Sequence, residues 1–164
     1  MHFCVNQSSL LPPRRPGILR TGNDMDRSFL KELPYSLIGC CYRPPNTCDN
    51  FYDLLENSLE NATKKNVILV GDFNAKHTEE LPTDTTDQAG NRIKDISDSF
   101  NLTQLCSSPT HLNKTGQPSS LLDLAFTDLP NYCRSGTLPP LSSSDHLPVM
   151  VNVNLEIYTS GQSC

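Results

Sequence analysis

Apolar and polar residues alternate with two different periods along this chain, and these periods divide it into strands and helices. The apolar run "YSLIGCCY", residues 35–42, predicts a buried strand that "RPPNT" ends, because proline cannot continue a hydrogen-bonded ladder. The alternation in "VMVNVNLEIY", residues 149–158, predicts a strand with one buried face. The runs "NVILV" at 66–70 and "SSLLDLAFTD" at 119–128 are also typical of strands.

Two segments have apolar residues at helical spacing. Residues 48–65 and 91–100 each place them on one face, namely Phe51, Leu54, Leu55 and Leu59 in the first and Ile93, Ile96 and Phe100 in the second. Thr47 or Asp49 could cap the first helix, and Lys64–Lys65 suits the dipole at its C-terminal end. Strands that alternate with helices predict an α/β layered domain with helices packed on a sheet.

The two ends and two internal stretches lack such a period. Prolines and glycines interrupt residues 1–28, which we expect to be an irregular and disordered lead-in. The partial domain is expected at 29–158, followed by a tail at 159–164. Residues 75–90 and 139–148 are polar and turn-rich, which predicts surface loops.

Composition excludes several classes of protein. The length of 164 residues suits one domain, and a 36% hydrophobic content suffices for a core. A net charge of −5 argues against holding nucleic acid by bulk charge, but it allows a nuclease whose carboxylates hold a divalent metal. Seven cysteines without a CxxC pair argue against zinc and favour reduced thiols. Without a secretory or membrane-spanning run, we expect an intracellular protein, nuclear or cytoplasmic, with no membrane partner.

Polar residues that could carry chemistry collect at the predicted strand ends. They are Tyr42, Asp72, Asn74, Asp123, Asp145 and His146. Because active sites form at strand ends and on the loops there, these side chains could converge at one edge of the sheet. A base for water, a divalent metal and a donor to phosphate are what phosphodiester hydrolysis requires. Oxygen ligands without thiolates favour Mg²⁺ or Mn²⁺.

The motifs "CCYRPPN", "ILVGDFNA", "LLDLAFTD" and "PPLSSSDHLPV", in this order, resemble the endonuclease/exonuclease/phosphatase superfamily. The resemblance covers about residues 30–157 and is greatest to the endonuclease domains of LINE-type, jockey-like retrotransposons. It implies a layered α/β sandwich, a divalent-metal-dependent DNA-nicking activity, and DNA as the substrate. Each motif alone is weak, whereas four in the right order and spacing are specific.

The resemblance also implies a role for each matching residue. Asp72 would activate the attacking water, Asn74 would hold the phosphate, and Tyr42 would donate to a phosphate oxygen. His146 would stabilise the growing charge, and Asp123 would hydrogen-bond His146 and fix its tautomer. In the loop before His146, Asp145 would be a metal ligand and Ser144 would shape the turn.

The chain also departs from the family pattern. The family begins with a strand that ends in asparagine, and a later strand carries a metal-binding glutamate at its tip. The pattern of this sequence indicates neither strand. We therefore expect that the N-terminal strands of the domain are missing. One alternative is accordingly a catalytically inactive, truncated remnant, and another is a phosphatase or RNA nuclease of the same superfamily. The oligomeric state stays open.

Ordinary structural roles compete with several of these interpretations. The Asp72–Asn74 segment is good turn chemistry, the Asp145–His146 pair could be a solvated loop, and Tyr42 could be a core tyrosine. Asp123 in an apolar strand needs a partner, because burying a carboxylate alone costs free energy. The remaining polar residues are expected at the surface, namely His77, Lys64–Lys65 and Lys76. His111 is also expected there, unless it touches a substrate phosphate. Arg43 has a better claim to contact a nucleic-acid backbone.

Overall fold

A mixed five-stranded sheet lies at the centre of the fold in this computed structural model, which describes residues 4–6, 36–45, 50–62, 66–80 and 85–154. The strands in chain order are β1 (Cys4–Asn6), β2 (Ser36–Tyr42), β3 (Asn66–Asp72), β4 (Thr103–Gln104), β5 (His111–Leu112), β6 (Pro118–Ser120), β7 (Asp123–Thr127), β8 (Cys133–Thr137) and β9 (Val149–Val153). The helices are α1 (Asn50–Glu60) and α2 (Gln88–Ser99). The central sheet has the order β1-β2-β3-β7-β4, and β5–β6 and β8–β9 form separate two-stranded sheets.

The middle of the sheet is a parallel β–α–β unit flanked by antiparallel strands. Strands β2 and β3 pair in parallel through α1, while β7 pairs antiparallel with both β3 and β4. This arrangement confirms the predicted α/β layered fold, because strands and helices alternate along the chain and pack in separate layers. The carboxyl end of β3 and the start of β7 consequently lie side by side.

The helices cover one face of the central sheet and enclose the main core. Phe73, at the end of β3, is fully buried and makes edge contacts with Phe126, at a centroid distance of 5.5 Å, and with Phe51 of α1, at 6.5 Å. In α1 the prediction was wrong in one respect, since Leu54 is 42% exposed and Tyr52 is buried instead. At 100° per residue, the four buried residues lie within one arc of about 100° around the helix axis, namely Phe51, Tyr52, Leu55 and Leu59. Leu54 lies about 110° from the centre of that arc.

The opposite face of the sheet is less completely covered. Along β2 the side chains alternate, so that Leu37 and Cys41 are buried whereas Ile38 and Tyr42 are exposed. The hairpin β8–β9 packs towards the core through Val149 and its neighbour on the same face, Val151. The alternation predicted for residues 149–158 is therefore present in the described part, Val149–Val153.

Several predicted boundaries differ from the structure. Strand β1 lies inside the segment expected to be irregular, residues 1–28, and pairs with β2. It ends at Asn6, so a strand that ends in asparagine is present where the sequence pattern indicated none. Helix α2 begins three residues earlier than predicted, because the Asp87 side chain caps it by accepting the Gly90 N–H at 2.6 Å. The run 119–128 is divided between β6 and β7.

Some predicted features lie outside the described residues. These are the capping residues Thr47 and Asp49, the pair Lys64–Lys65, and the outer end of the last strand, with Leu155 and Ile157. In the part that is described, neither helix has the length and apolar character needed to cross a membrane.

Candidate active site at the ends of β2, β3 and β7

Strand register places three of the predicted residues in one row across the sheet. Tyr42 of β2 pairs with Asp72 of β3, which pairs in turn with Asp123 of β7. Residues directly opposite each other on neighbouring strands point to the same face, so the phenol and the two carboxylates share one face of the sheet edge. Tyr42 is 56% exposed, which makes it a surface residue and not a core tyrosine.

Gly71 allows the three strands to come close together at this point. It lies within β3, between Cys41 and Leu124 of the neighbouring strands, with a φ of +153°. A Cβ atom here would lie 1.9 Å from the Cys41 carbonyl oxygen. The glycine is therefore needed for close approach within the strand, one residue before Asp72.

The chain after β3 leaves the extended conformation at Asn74, whose φ is +44°. The chain from Asp72 to Asn74 is therefore not extended. Instead, the Asn74 backbone N–H donates to Asp72 Oδ1 at 3.0 Å, and its side-chain amide donates to the Arg43 carbonyl oxygen at 2.9 Å. Asparagine tolerates this left-handed conformation better than most residues.

Arg43 stabilises the same loop from beneath. It is only 7% exposed, and its guanidinium donates to the Tyr52 hydroxyl at 3.1 Å and to the carbonyl oxygens of Phe73 and Asn74 at 3.2 and 3.0 Å. The sequence suggested a nucleic-acid contact for Arg43, and these bonds show that it also has a structural role in holding the segment that carries Asp72 and Asn74.

Asp123 and His146 form the central hydrogen bond of the site. His146 Nδ1 donates to Asp123 Oδ2 at 2.8 Å, and the two side chains are 32% and 19% exposed. The bond places the proton on Nδ1, which leaves Nε2 of the neutral ring as an acceptor. Asp72, Asp123 and His146 each offer a ligand atom within 4.8 Å of the others.

Thr110 positions Asp123 and was not anticipated. Its side chain is fully buried, and its hydroxyl oxygen accepts the backbone N–H groups of Leu122 and Asp123 at 3.1 and 2.9 Å. Its carbonyl oxygen accepts the Leu147 N–H at 2.7 Å, which draws the loop that carries His146 towards β7. In the sequence only the next residue, His111, drew attention to this region.

His111 also belongs to the site. It pairs with His146 through an isolated β-bridge, and the two rings meet edge to face with centroids 5.2 Å apart. Its Nδ1 lies 3.1 Å from Ser119 Oγ, and its Nε2 lies 3.8 Å from Asp145 Oδ2. His111 is half-buried between these groups, so the expectation of a plain surface histidine was wrong.

Asp145 and Ser144 lie at the rim of the site. The Asp145 carboxylate is 72% exposed and faces His111, outside the cluster of Asp72, Asp123 and His146. The Ser144 hydroxyl oxygen accepts the His146 backbone N–H at 3.1 Å and so shapes the turn before the histidine. A cleft of about 280 Å³ beside these residues is lined by Gly71, Asp123, Ser144, His146 and Leu141 among others.

The two central titratable groups both have raised pKa values. Partial burial raises the pKa of Asp72, the charge on Asp123 adds to this, and the hydrogen bond from the Asn74 N–H opposes it. For His146, burial opposes the protonated form, but the hydrogen bond to Asp123 and the charges of Asp123, Asp72 and Asp145 outweigh it and raise the pKa. The site therefore combines a carboxylate that accepts protons readily with an imidazole that holds a proton.

The fold and the site together define a class of protein. A layered α/β domain with Tyr, Asp and Asp at adjacent strand tips and an Asp–His pair closing the edge has the form of the endonuclease/exonuclease/phosphatase class. The sequence profile described as endonuclease-reverse transcriptase matches residues 36–150 of the chain. The chain belongs to this family.

One solved structure illustrates the fold. The endonuclease domain of TRAS1, a telomere-specific non-LTR retrotransposon, is 23% identical in sequence and superposes with a TM-score of 0.61. The match covers 73% of this chain and 57% of that domain, so the chain spans little more than half of it. A comparison with curated protein sequences gives no match.

Proposed function

We propose that this chain hydrolyses phosphodiester bonds and acts as a DNA-nicking endonuclease of retrotransposon type. The observation that carries the proposal is the row Tyr42–Asp72–Asp123 with His146 bonded to Asp123 at 2.8 Å. Family membership supports a nuclease in general, and the residues at the sheet edge supply the groups that such a reaction needs.

Proton transfer is assigned to Asp72. A carboxylate whose pKa is raised by burial and by a neighbouring charge is a better general base than an ordinary aspartate, because it retains a proton more readily. In this proposal Asp72 orients and deprotonates water, while the Asn74 N–H at 3.0 Å fixes the orientation of its carboxylate. The exposed Tyr42 hydroxyl donates to a phosphate oxygen, and Asn74 helps to hold the same phosphate.

Charge stabilisation is assigned to His146. Its Nε2 carries the proton that meets the growing negative charge on phosphate when the ring is protonated, and Asp123 favours that form. Asp123 acts through the imidazole by fixing its ring orientation and tautomer. Thr110, which holds the Asp123 backbone at 2.9 Å, supports this arrangement and does not touch the substrate.

The donor set fits a divalent cation such as Mg²⁺ or Mn²⁺. Two carboxylates share one face of the sheet edge, and they cluster with His146, which is positively charged only when it is protonated. A cation held through water at this edge would be attracted by both carboxylates, and it would leave Asp72 free to act as the base and Asp123 free to hold His146. When bound, it would neutralise charge on the phosphate. Asp145, with its exposed carboxylate, is proposed as an outer ligand through water.

Nicking of supercoiled plasmid tests the proposal. The parent chain with Mg²⁺ is expected to convert plasmid to the open-circular form, and chelator or Asp72→Ala is expected to abolish this. Asp95→Ala serves as the matched carboxylate control, because Asp95 is an exposed residue of α2 outside the cluster. A folded parent that nicks no better than Asp72→Ala would refute the proposal and leave the inactive remnant. RNA and phosphomonoester substrates in parallel distinguish the remaining alternatives.

A further inference from the structure

A groove separate from the cleft described above opens beside the candidate active site. It has a volume of about 460 Å³ and is lined by Arg43, Lys76, Arg92, Asp87, Asn74 and Leu122 among others; we call it the basic groove. Two of its residues connect it to the site. The Asn74 backbone N–H donates to Asp72 Oδ1, and Leu122 directly precedes Asp123 and accepts the Phe73 N–H at 2.9 Å.

The groove concentrates positive charge on a chain whose net charge is −5. Three cationic side chains line it against one carboxylate, that of Asp87. The Asp87 Oδ1 atom is directed to backbone donors, the N–H groups of Gly90 at 2.6 Å and Lys76 at 3.3 Å. Within the described residues, no carboxylate lies within 4.0 Å of the charged nitrogens of Arg43, Lys76 or Arg92.

The Arg43 guanidinium is held in place before any ligand binds, and Arg92 contacts the same aromatic ring. The Arg43 side chain is buried, and oxygens of Tyr52, Phe73 and Asn74 solvate it without neutralising its charge. The Tyr52 ring lies 5.8 Å from the Arg43 guanidinium carbon and 5.3 Å from that of Arg92. Both cations therefore share one aromatic support, which is a favourable cation–π arrangement.

We propose that the basic groove binds a backbone phosphate of the nucleic-acid strand, next to the phosphate that is cleaved. The inference rests on the proposed nuclease function, because it places the groove ligand on the same strand as the scissile bond. Guanidinium groups recognise phosphate oxygens well, and phosphate contacts set the register of a strand without reading its sequence. An otherwise acidic chain would thereby obtain a local site for its polyanionic substrate.

Salt-dependent DNA binding tests the groove directly. The double variant Lys76→Gln/Arg92→Gln removes two groove cations, and Lys94→Gln/Arg134→Gln removes the same charge elsewhere, since Lys94 pairs with Asp98 and lies outside the groove. The probe is a short fluorescein-labelled duplex with chelator present, so that no cleavage occurs. Anisotropy gives the binding constant over a series of salt concentrations.

Losing one phosphate contact lowers the slope of log K against log salt by about 0.9 for duplex DNA. We expect the groove variant to lose about this much and the control to keep the parent slope. An unchanged slope in the groove variant, or a parent that does not bind duplex at all, would overturn the proposal. If the double variant does not fold, the single variants Lys76→Gln and Arg92→Gln carry the same comparison.

Two further comparisons distinguish a failure of the groove proposal from a failure of the nuclease proposal. Nicking by the parent with an unchanged slope would reject the groove and keep the nuclease. A reduced slope without nicking by the parent would keep the groove only as a site for nucleic-acid phosphate and would reject the nuclease. Titration with inorganic phosphate distinguishes a free anion from a nucleic-acid strand. Phosphate binding that is lost in the groove variant, with no change in the duplex slope, would assign the groove to a small anion and contradict the proposal.

Discussion

Replacing Thr110 with valine tests how the active-site strand is held in place. The change keeps the shape of the side chain and removes the hydroxyl oxygen that accepts the N–H groups of Leu122 and Asp123 at 3.1 and 2.9 Å. An unsatisfied buried donor costs about 1–3 kcal/mol. Leu122 and Asp123 are half-buried, so water can reach them in part, and the lower half of that range applies. The two donors together give a loss of roughly 2–4 kcal/mol.

Urea unfolding of the parent, Thr110→Val and Thr110→Ser measures this loss. The serine variant retains the acceptor and loses one methyl group, for which about 0.8 kcal/mol is expected. Small domains are stable by about 5–15 kcal/mol, so a loss of the expected size is readily resolved. A valine variant as stable as the parent, or no less stable than the serine variant, would refute the argument that Thr110 tethers Asp123.

Three further predictions concern the same strand ends. Asp72→Asn should raise stability at neutral pH, because burial and the Asp123 charge disfavour the ionised form of Asp72 and so raise its pKa. The gain in stability should vanish as pH falls through that raised pKa, and thermal unfolding at a series of pH values measures it. Asp123→Asn should lower the pKa of His146, which NMR measures, and an unchanged pKa would contradict the assigned pair. The parent should also be stabilised by this pair below the ordinary histidine pKa and should lose that stabilisation as pH rises through the raised pKa of the folded state, whereas the variant should lack it. Gly71→Ala should prevent folding or destabilise the protein severely, because the added Cβ would lie 1.9 Å from a backbone oxygen. Gly136→Ala is the control and should fold normally, because open space surrounds Gly136. Equal solubility and equal unfolding midpoints of the two variants would refute this role of Gly71.

The short-range pattern of apolar and polar residues predicted individual strands and helices and the partner of one partly buried carboxylate. Strand β3 and the buried face of α2 follow from short apolar periods, and the structure has both. The lone carboxylate in the apolar run of β7 required a partner, and His146 lies at hydrogen-bond distance from it. Four ordered motifs identified the family correctly, because each marks the end of an element where site residues must lie.

The remaining features depend on contacts between distant residues. Thr110 reaches Asp123 across 13 positions and Arg43 reaches Asn74 across 31, and no local period encodes either contact. The short strands β4, β5 and β6 are two or three residues long, too short for a period to be visible. Asn74 took a left-handed conformation because two hydrogen bonds, one from its N–H and one from its amide, hold it there.

The nicking rates of His146→Gln, Asp123→Asn and the double variant, measured against the parent on one plasmid preparation, test the central claim most directly. If Asp123 acts through His146, the two substitutions remove one function, and the double variant should be no slower than His146→Gln alone. Circular dichroism of each variant checks that it is folded. Rate losses that multiply in the double variant would show that the two residues act independently. A folded parent with no nicking activity would contradict the assignment of catalysis to this site.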